Sequence, residues 1–576
     1  MQPASLRSDP TTPTPAELKQ LLLERLDLSD EGQKTFLEPV YTLGDPFLFR
    51  DMDKAVDRIH LAIKNNEQIG IYADYDCDGI PGAVVLIDFF KIIGIMDRVH
   101  VYIPDRHMQG YGVNAFGIDE LSKLHVTTIL TVDVGITAIA EIADAQSRGI
   151  DVVLTDHHLP IDRHSSESEG GNSFNLPAAF AVVHPMVGDY PEKNLCGAAV
   201  AFMFVRAFIQ KYGKTDSTSL TGGYNIPEGW EKWLLDLVGF ATLSDMVPLV
   251  AENRVLAYYG MMVMKKTRRV GLQALFSANN IDMNRLTESD LTFTVAPRLN
   301  AASRMASPIL AFELLSTDDR MRAMELTREL TAINDERKQV VADIVKNAYA
   351  RIAGKELPSI VVIGDESWRP AVLGLVAGKL QESYGKSFFV WGEGGDGTMK
   401  GSCRMLPAHN AATLMQGLPE GILIHGGGHK AAGGFAATKE QIHLLEPALN
   451  AVLQNLPFTD AEAMADERRK DIVLPLSCAA VRHLNAIRTF APFGVGNPEP
   501  VFLFENVSIE STKKFGKAKD HIECTVTDST GTAIAFTFFA SDTFAKKVVT
   551  GKTVSLLGTL EAGWRGGVRI HIKEII

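Results

Sequence analysis

The sequence predicts an α/β multidomain protein in which a parallel-sheet domain is joined by a long helix to a smaller α/β domain, with a small β-barrel after it. Apolar strands and helical stretches alternate over residues 69–185, a pattern typical of βαβ units and a parallel sheet. Apolar residues keep helical spacing over Ser316–Ile352, which indicates one long helix. Five short strands with glycine turns fill residues 500–576 and favour a barrel such as the OB-fold.

Length and composition limit the class of protein. The 576 residues correspond to three or four domains at about 150 residues each. A chain with 46% hydrophobic and 22% charged residues is neither disordered, collagenous nor a coiled coil. The longest apolar run, Ile80–Ile95, carries two charged residues and is too short to cross a bilayer. The net charge of −13 is an average over the whole chain and therefore excludes no nucleic-acid partner.

The cysteines and the first residues indicate a location. Five cysteines lie far apart without a CxxC pair, which indicates reduced thiols. The first residues are polar and rich in Thr and Pro, so no signal peptide is expected. The sequence therefore predicts a cytoplasmic protein.

The predicted organisation has five segments. They are an N-terminal lead-in (1–50), the parallel-sheet domain (51–315), the connecting helix (316–352), the smaller α/β domain (353–458) and the barrel (459–576). Ser316 and Asp319 suggest a capping box at the start of the connecting helix, and Gly354 is suited to its end.

The first candidate site is a run of alternate carboxylates, Asp74, Asp76 and Asp78, which follows an apolar strand and precedes a helix. Ligands of open α/β sheets bind beyond the carboxyl ends of the strands, so the placement suits a site. The carboxylates would repel one another unless a divalent cation compensated their charge. A solvated acidic turn remains an alternative. An EF-hand is excluded, because no Glu occupies its twelfth position and a strand comes before the loop.

Two further strands end in similar side chains. Asp156, His157 and His158 follow the strand at 152–154, and Asp133 follows the strand at 129–132. Carboxylate and imidazole ligands suit Mn²⁺ and similar cations. Alone, Asp133 could be a turn residue and Asp245, after an apolar helix, a helix cap.

Together these residues predict a two-metal site. Two adjacent metals can clamp the attacking and leaving oxygens of a phosphoester and activate water. The sequence contains no P-loop, GxSxG or kinase signature. It therefore favours a metal-dependent phosphoesterase.

Candidate phosphate-binding residues lie further along the chain. Arg298, Asn300 and Arg304 share one short stretch, and the planar fork of arginine suits phosphate. Arg404 and a glycine run from 426 to 434 follow, and such a run can form a backbone anion nest. Surface arginines in a loop and an ordinary glycine turn are the alternatives.

The motifs in this order resemble the DHH phosphoesterase superfamily, named for Asp156-His157-His158. The segment Gly426-Gly427-Gly428-His429-Lys430 resembles the start of the associated DHHA1 motif. Within the superfamily the chain is most similar to the RecJ family of bacterial single-strand-specific 5′→3′ exonucleases. This resemblance runs from about residue 17 to the C-terminus.

The resemblance implies a role for each candidate residue. It assigns two ions, Mn²⁺ or Mg²⁺, to the metal ligands Asp74, Asp76, Asp78, Asp133, His157 and Asp245. It makes Asp156 and His158 catalytic or orienting groups. It gives substrate contacts to Arg106, Arg298, Asn300, Arg304, Arg404, Gly427, Gly428 and His429. In the barrel, it suggests a single-strand path along Lys513, Phe515, Lys517, Trp564 and Arg565, each of which could equally be core or solvated surface.

Four positions depart from the family pattern. They are Ala73, Ser303, Arg369 and Met405. None is a predicted metal ligand, so the departures concern the grip on the substrate rather than hydrolysis.

The implied function is hydrolysis of single-stranded DNA from the 5′ end to mononucleotides in recombination and repair. A nanoRNase or cyclic-dinucleotide phosphodiesterase of the same superfamily is one alternative, although such enzymes are typically shorter and lack the barrel. A non-catalytic replication scaffold is another, although such relatives have lost metal ligands. The resemblance also implies a single-strand-binding protein and a RecQ-type helicase as partners, and a monomer is expected.

Overall fold

The structure is a computed structural model. It describes residues 12–26, 28–106, 109–110, 112–162, 174–213, 223–395, 397–455, 472–516, 519, 521–538, 542–563 and 566–576. The chain divides into two compact units: one comprises Tyr41–Phe458 with Gly494–Gly496, and the other comprises Met1–Val40, Thr459–Phe493 and Asn497–Ile576. Within the described ranges no helix combines the length and apolar character that a membrane span requires.

The helices and strands are numbered in chain order. The helices are α1 (Pro15–Glu24), α2 (Asp30–Leu37), α3 (Met52–Lys64), α4 (Gly79–Ile92), α5 (Ala115–Lys123), α6 (Ile139–Ser147), α7 (Gly197–Tyr212), α8 (Leu235–Ser244), α9 (Ala251–Met264), α10 (Val270–Ala278), α11 (Ala296–Met305), α12 (Ile309–Ser316), α13 (Arg320–Ile352), α14 (Leu373–Tyr384), α15 (Ala411–Gln416), α16 (Leu445–Asn455), α17 (Val481–Arg488) and α18 (Asp542–Lys547). The strands are β1 (Gln68–Ala73), β2 (Val99–Tyr102), β3 (Val126–Val132), β4 (Asp151–Thr155), β5 (Ile161–Asp162), β6 (Phe174–Asn175), β7 (Ala181–Val183), β8 (Ile360–Gly364), β9 (Ser387–Glu393), β10 (Met399–Arg404), β11 (His425–Gly428), β12 (Ala432–Ala437), β13 (Ile472–Val473), β14 (Phe502–Phe515), β15 (His521–Thr527), β16 (Thr532–Thr537), β17 (Thr553–Ala562) and β18 (Val568–Ile575).

The large unit begins with the predicted parallel sheet, whose strand order is β2-β1-β3-β4-β7. In register, Ile71 of β1 lies between Val101 of β2 and Leu130 of β3. These strands are apolar along their length because helices cover both faces of the sheet. All five strands run the same way, so their carboxyl ends form one edge of the sheet.

A layer of helices packs on this sheet and forms the largest core of the protein. Helix α4, directly after the first carboxylate loop, is almost entirely buried, and it packs against α7 and α8. Helices α8 and α9 cross where Gly239 meets Gly260, and a Cβ added to Gly239 would lie 2.6 Å from the Gly260 Cα. The close crossing therefore requires glycine at this position.

The connecting helix α13 runs from Arg320 to Ile352 and begins differently from the prediction. The predicted capping box at Ser316 is wrong, because Ser316 is the last residue of α12 and its hydroxyl donates to the Phe312 carbonyl. Asp319 is the N-cap itself, since its side chain accepts from the next backbone N–H groups. The helix stops before Gly354, which has a positive φ of 74°.

The smaller α/β part of the large unit contains a five-stranded sheet of order β11-β12-β10-β9-β8. Strands β8 and β9 are parallel, and the other pairs are antiparallel. The second half of α13 supplies Val341, Ile344 and Val345 to the apolar core under this sheet. Helix α13 thus contributes its first half to the core of the parallel-sheet part and its second half to the core of the smaller part.

The second unit contains the predicted barrel. Strands β14, β15, β16, β18 and β17 pair in that order, and β17 pairs back with β14 to close it. Helix α1 packs on this unit, where Leu18 and Leu22 join the barrel core. The His483 ring nitrogen Nε2 lies 2.9 Å from the Pro13 carbonyl and fixes the chain just before α1.

Candidate active site

The loop after β1 is organised by its own carboxylates. The Asp76 Oδ1 accepts from the backbone N–H groups of Asp78 at 2.8 Å and Gly79 at 3.2 Å, where α4 begins. The Asp78 carboxylate accepts from the N–H groups of Gly197 and Ala198 at the start of α7. The amino end of a helix favours negative charge, so the start of α7 stabilises a negative charge on Asp78 and fixes the orientation of its carboxylate.

His157 lies at the centre of the predicted metal ligands. Its Nε2 is 3.0 Å from the Asp133 Oδ1, 3.5 Å from the Asp78 Oδ2 and 3.8 Å from the Asp245 Oδ2. The donor atoms form three groups, and within each group they lie within 4.8 Å of one another. The groups are Asp133 with His157 and His158, Asp78 with His157 and Asp245, and Asp74 with Asp76 and Asp133. All six predicted ligands therefore converge, and His158 joins them.

The acidic groups in this cluster carry an electrostatic cost that a cation would relieve. Burial raises the pKa of Asp74, Asp78 and Asp133, and neighbouring carboxylates raise them further. Burial first and the nearby aspartates second raise the pKa of Asp245 to about 9. The Asp74 Oδ1 has no hydrogen-bond partner among the described residues. Closely spaced carboxylates with imidazole donors fit divalent Mn²⁺ or Mg²⁺.

Asp156 orients the two histidines. Its Oδ1 accepts from the backbone N–H groups of His157 and His158 and lies 2.8 Å from the His158 Nδ1. Its Oδ2 accepts from the Ile136 N–H at 2.8 Å. Burial opposes ionisation, but these hydrogen bonds hold the Asp156 pKa well below its usual range. Asp156 belongs to none of the three groups of donor atoms, and its contacts fix the orientation of the His158 ring.

His184 is a site residue that the sequence analysis missed. Its buried ring lies between two backbone groups: Nε2 is 2.8 Å from the His158 carbonyl, and Nδ1 accepts from the Met186 N–H at 3.1 Å. Burial lowers the His184 pKa to about 4, so the ring is neutral at pH 7. His184 directly follows β7, the same position relative to a strand as Asp133 and Asp156. Asp133 and Asp156 were selected because they directly follow apolar strands, and the same criterion would have selected His184.

Arg304 belongs to a group of arginines beside the carboxylates. Its Nη1 donates to the Ala371 carbonyl at 2.9 Å, which joins α11 to the turn before α14. Burial first, and then the charges of Arg106, Arg337 and Arg404, lower its pKa to about 9. Mutually repelling guanidinium groups stabilise one another only through an anion, so this arginine cluster fits phosphate.

Arg337, on the connecting helix, was also missed, since one arginine in a charged helix carries no motif. Burial and then the charge of Arg298 lower its pKa. The Nε atoms of Arg298 and Arg337 are buried without a hydrogen-bond partner among the described residues. The same holds for the Asn300 Oδ1 and for both amide atoms of the fully buried Asn334. These groups of α11 and α13 leave several polar atoms for a ligand.

Known proteins match this chain over most of its length. Three family models match: the DHH family N-terminal domain at residues 68–228, the DHHA1 domain at 349–455 and the RecJ OB domain at 470–573. The single-stranded-DNA-specific exonuclease RecJ of Dickeya dadantii is 30% identical over 526 residues, which cover 86% of each chain. The chain belongs to the RecJ family. The Bacillus subtilis RecJ is 31% identical over 522 residues, and the alignment spans 90% of this chain but 62% of that relative.

Solved RecJ structures agree with the fold. A crystal structure of exonuclease RecJ bound to manganese is 28% identical, with a TM-score of 0.59, and covers 73% of this chain and 97% of that one. The Thermus thermophilus RecJ in complex with Mn²⁺ has a TM-score of 0.75 at 24% identity and covers 98% of this chain and 76% of that one. The predicted RecJ resemblance and the predicted fold class are therefore confirmed.

The glycine-rich segment of this RecJ family member is a β-hairpin. Gly427 and Gly428 lie on the exposed edge strand β11, and the His429 N–H donates to the Ala432 carbonyl at 2.8 Å. Gly428 has a φ of 150°, and a Cβ there would lie 2.4 Å from the Gly433 Cα. Ala432 in turn pairs with Arg404, so the hairpin lies next to the arginine cluster.

The departures from the RecJ pattern fit into the structure locally. The buried Ser303 donates its hydroxyl to the Asn300 carbonyl at 3.2 Å, within α11. The Met405 side chain is buried in the core of the smaller sheet, and Ala73 is buried at the end of β1. Arg369 forms an exposed ion pair with Glu336 at 3.4 Å. None of the four disturbs the cluster around His157.

Candidate DNA contacts on the RecJ barrel lie among aromatic side chains. Phe515 packs edge-on against His521 with ring centroids 5.0 Å apart, and the exposed Phe538 packs on His521 at 5.3 Å. Lys513 is exposed on the same strand as Phe515. The other three sequence candidates, Lys517, Trp564 and Arg565, lie outside the described residues.

Proposed function

We propose that this RecJ family member is a metal-dependent exonuclease that hydrolyses single-stranded DNA from its 5′ end to mononucleotides, in DNA recombination and repair. The convergence of five carboxylates and the His157 imidazole in one cluster carries the proposal. An arginine cluster of phosphate-binding character lies beside them. The relatives' name, single-stranded-DNA-specific exonuclease RecJ, supplies the substrate class.

Six side chains would hold two divalent cations, Mn²⁺ or Mg²⁺. They are Asp74, Asp76, Asp78, Asp133, His157 and Asp245. When bound, such ions polarise the phosphodiester and lower the pKa of water. The donor set suits both ions, and a manganese-bound RecJ structure supports the proposal.

The chain's own residues position the reaction. Asp156 engages the Nδ1 of His158, so Nε2 is the nitrogen that His158 can offer to a phosphate oxygen. His184 holds the backbone of His158 from the other side through its carbonyl. The imidazole of His158 is thereby fixed before substrate arrives, which is the condition for efficient transition-state stabilisation.

The arginines account for an attack confined to strand ends. Arg106, Arg304 and Arg404 would bind a 5′-terminal phosphate, with the hairpin at Gly427, Gly428 and His429 beside Arg404. Arg298 and Asn300, on the same helix as Arg304, would contact a neighbouring phosphate. A cluster that binds a terminal phosphate selects strand ends over internal bonds.

The barrel would extend the single-strand path. Exposed aromatic rings such as Phe538 stack on bases of any sequence, and nearby lysines such as Lys513 attract the backbone. This arrangement suits a nuclease that degrades DNA without sequence preference.

We place this activity in the cytoplasm of the cell, since all five cysteines are unpaired and buried. A single-strand-binding protein and a RecQ-type helicase would supply the single-stranded substrate. We expect a monomer, which sedimentation velocity would test directly.

A digestion assay tests the proposed function. Purified protein with Mn²⁺ is given 3′-labelled single-stranded DNA with a free or a blocked 5′ end, alongside duplex DNA, RNA and a dinucleotide. We expect digestion of the free-ended single strand only, and its loss in Asp133→Ala but not in the exposed control Asp318→Ala. Activity confined to the dinucleotide would assign the protein to the nanoRNase branch, and no hydrolysis of any substrate would favour a scaffold.

A further inference from the structure

The most exposed large apolar side chain in the described part of the large unit is that of Phe293. Its exposed fraction is 79%, whereas other phenylalanines of this unit, such as Phe89, Phe204 and Phe240, are fully buried. A ring so exposed to water loses the stabilisation that burial would give it, roughly 2–3 kcal/mol for a side chain of this size. A single exposed apolar side chain is ordinary on a protein surface, so the backbone and the charges around this ring decide whether it has a role.

The backbone around Phe293 is also unusual. Residues Asp290–Val295 form a π-helix directly before α11, and such turns are frequent at functional sites. The neighbours Leu291 and Val295 are buried in the core, so the wide turn is anchored while Phe293 projects outward.

The π-helix lies against the metal-binding loop. Cys77, between Asp76 and Asp78, places its Sγ 3.5 Å from the carbonyl of Ala296, the first residue of α11. Ala296 follows Phe293 by three residues, a helical rise of roughly 5 Å. Phe293 therefore lies one helical turn before the residue that contacts the loop of Asp76 and Asp78.

Positive charge lies beside the ring. The Arg298 Nη1 donates to the Thr294 carbonyl at 2.6 Å, which brings a guanidinium to the residue next to Phe293. Arg298 faces Arg337, and the buried Nε atoms of both have no hydrogen-bond partner among the described residues. An aromatic face next to guanidinium groups whose Nε atoms have no hydrogen-bond partner among the described residues matches one nucleotide, whose base stacks while its phosphate binds arginine.

We infer that Phe293 is a stacking platform for the base of a nucleotide adjoining the scissile phosphodiester, with Arg298 and Arg337 on its phosphate. The inference rests on the proposed exonuclease function and deepens it. Stacking suits any base, so Phe293 contributes grip on the strand without sequence preference. It makes hydrolysis depend on a base at this position as well as on the terminal phosphate.

Steady-state kinetics on oligothymidylates test the inference. Phe293→Ala is expected to raise KM about tenfold, with the loss falling on KM rather than on kcat. Phe293→Trp, which keeps a stacking face, is expected to restore KM to near the wild-type value. Met262→Ala is the matched control, because Met262 is exposed on α9 and lies outside the site.

A spectroscopic measurement separates stacking from a merely structural role. Phosphorothioate-linked oligonucleotides carry 2-aminopurine at the first, second or third nucleotide, and binding is followed by its fluorescence. We expect strong quenching at one of these positions in the wild type and in Phe293→Trp, and its loss in Phe293→Ala. The inference is overturned if Phe293→Ala quenches the probe as strongly as the wild type does at every position and has the same KM as the wild type. That outcome would leave the exonuclease function intact. If the wild type itself hydrolyses no single-stranded DNA, the proposed function fails instead.

Discussion

The His158 Nδ1 lies 2.8 Å from the Asp156 Oδ1, and the same oxygen accepts the backbone N–H of His158. One carboxylate oxygen therefore fixes both the backbone and the ring of this histidine. Asp156 follows a buried parallel strand, so the position of its carboxylate is set by the sheet. The rigidity of the core is thereby transmitted to a ring that lies among the predicted metal ligands.

Replacing Asp156 by Asn tests this relationship. The amide keeps the size of the carboxylate but removes its charge and one of its accepting oxygens, so His158 loses its fixed orientation. We expect kcat on single-stranded DNA to fall about 10–100-fold, as for other groups that orient metal-site histidines. The exposed Asp318→Asn is the control. A variant with wild-type kcat and wild-type Mn²⁺ affinity would refute the orienting role.

The buried His184 predicts a graded response to substitution. His184→Ala leaves the His158 carbonyl without this hydrogen bond, and we expect a loss of about 1–3 kcal/mol in the free energy of unfolding and a lower kcat. His184→Gln retains a donor and should lose less of both. Chemical denaturation and single-turnover kinetics measure the two effects, and equal losses in both variants would contradict the hydrogen-bond explanation.

The clustered carboxylates predict an unusual stability effect. Because burial and mutual repulsion raise the pKa of Asp133, Asp133→Asn should melt at a higher temperature than the wild type in EDTA. Mn²⁺ should raise the melting temperature of the wild type far more than that of the variant, since binding stabilises the folded state by about 2.7 kcal/mol at a hundredfold excess over Kd. Differential scanning of both proteins with and without Mn²⁺ measures these melting temperatures. An equal rise in both proteins would show that Asp133 contributes no ligand.

Arg304 predicts a preference for a phosphorylated 5′ end. Removing its charge with Arg304→Gln should reduce kcat/KM roughly tenfold or more on 5′-phosphorylated DNA and much less on 5′-hydroxyl DNA, because a charged hydrogen bond contributes about 1.5–3 kcal/mol. Competition between the two substrates in one tube measures the ratio. Arg328→Gln, exposed on α13, serves as the control. Equal losses on both ends would exclude a terminal-phosphate contact.

Glu67 predicts how stability responds to acid. Partial burial opposes its ionisation, but hydrogen bonds from Thr127 and Arg58 lower its pKa to about 2. A lowered pKa stabilises the fold fully above the unfolded value of 4.5, and this contribution disappears as pH falls from 4.5 toward 2. Glu67→Gln should therefore cost about 1–2 kcal/mol at pH 7 and progressively less below pH 4.5. Urea titrations at several pH values measure the difference, with the exposed Glu329→Gln as control, and a constant difference would contradict the linkage.

Much of the fold was predictable because each element carries its own local signal. The strand before Asp74 is apolar on both faces, and the long helix keeps one apolar stripe from Leu326 to Val345. Parallel strands with carboxylates at their ends bring Asp74, Asp133 and Asp156 to one edge without further information. The approach of Asp133 to His157 follows from that topology, whereas Asp245 reaches His157 from the end of α8.

What sequence could not supply depends on packing between distant segments. Arg337 reaches the arginine cluster only because α13 packs against α11, and nothing within its own helix marks it. Phe293 lies between two threonines in the sequence, and nothing there shows that it is exposed on a π-helix. Ser316 and Asp319 both suit a cap, and the end of α12 decides between them.

The docking of α1 on the barrel unit has a consequence for biosynthesis. The His483 ring and the Pro13 carbonyl that it meets are 470 residues apart in the chain. At about 5–20 residues per second, roughly 20–90 s separate the emergence of these two groups from the ribosome. Helix α1 is therefore made first and docks among the last, with Leu18 and Leu22 exposed in the interval. The nascent chain therefore carries the uncovered apolar face of α1 through most of its translation, and such a face is a natural target for a holdase chaperone.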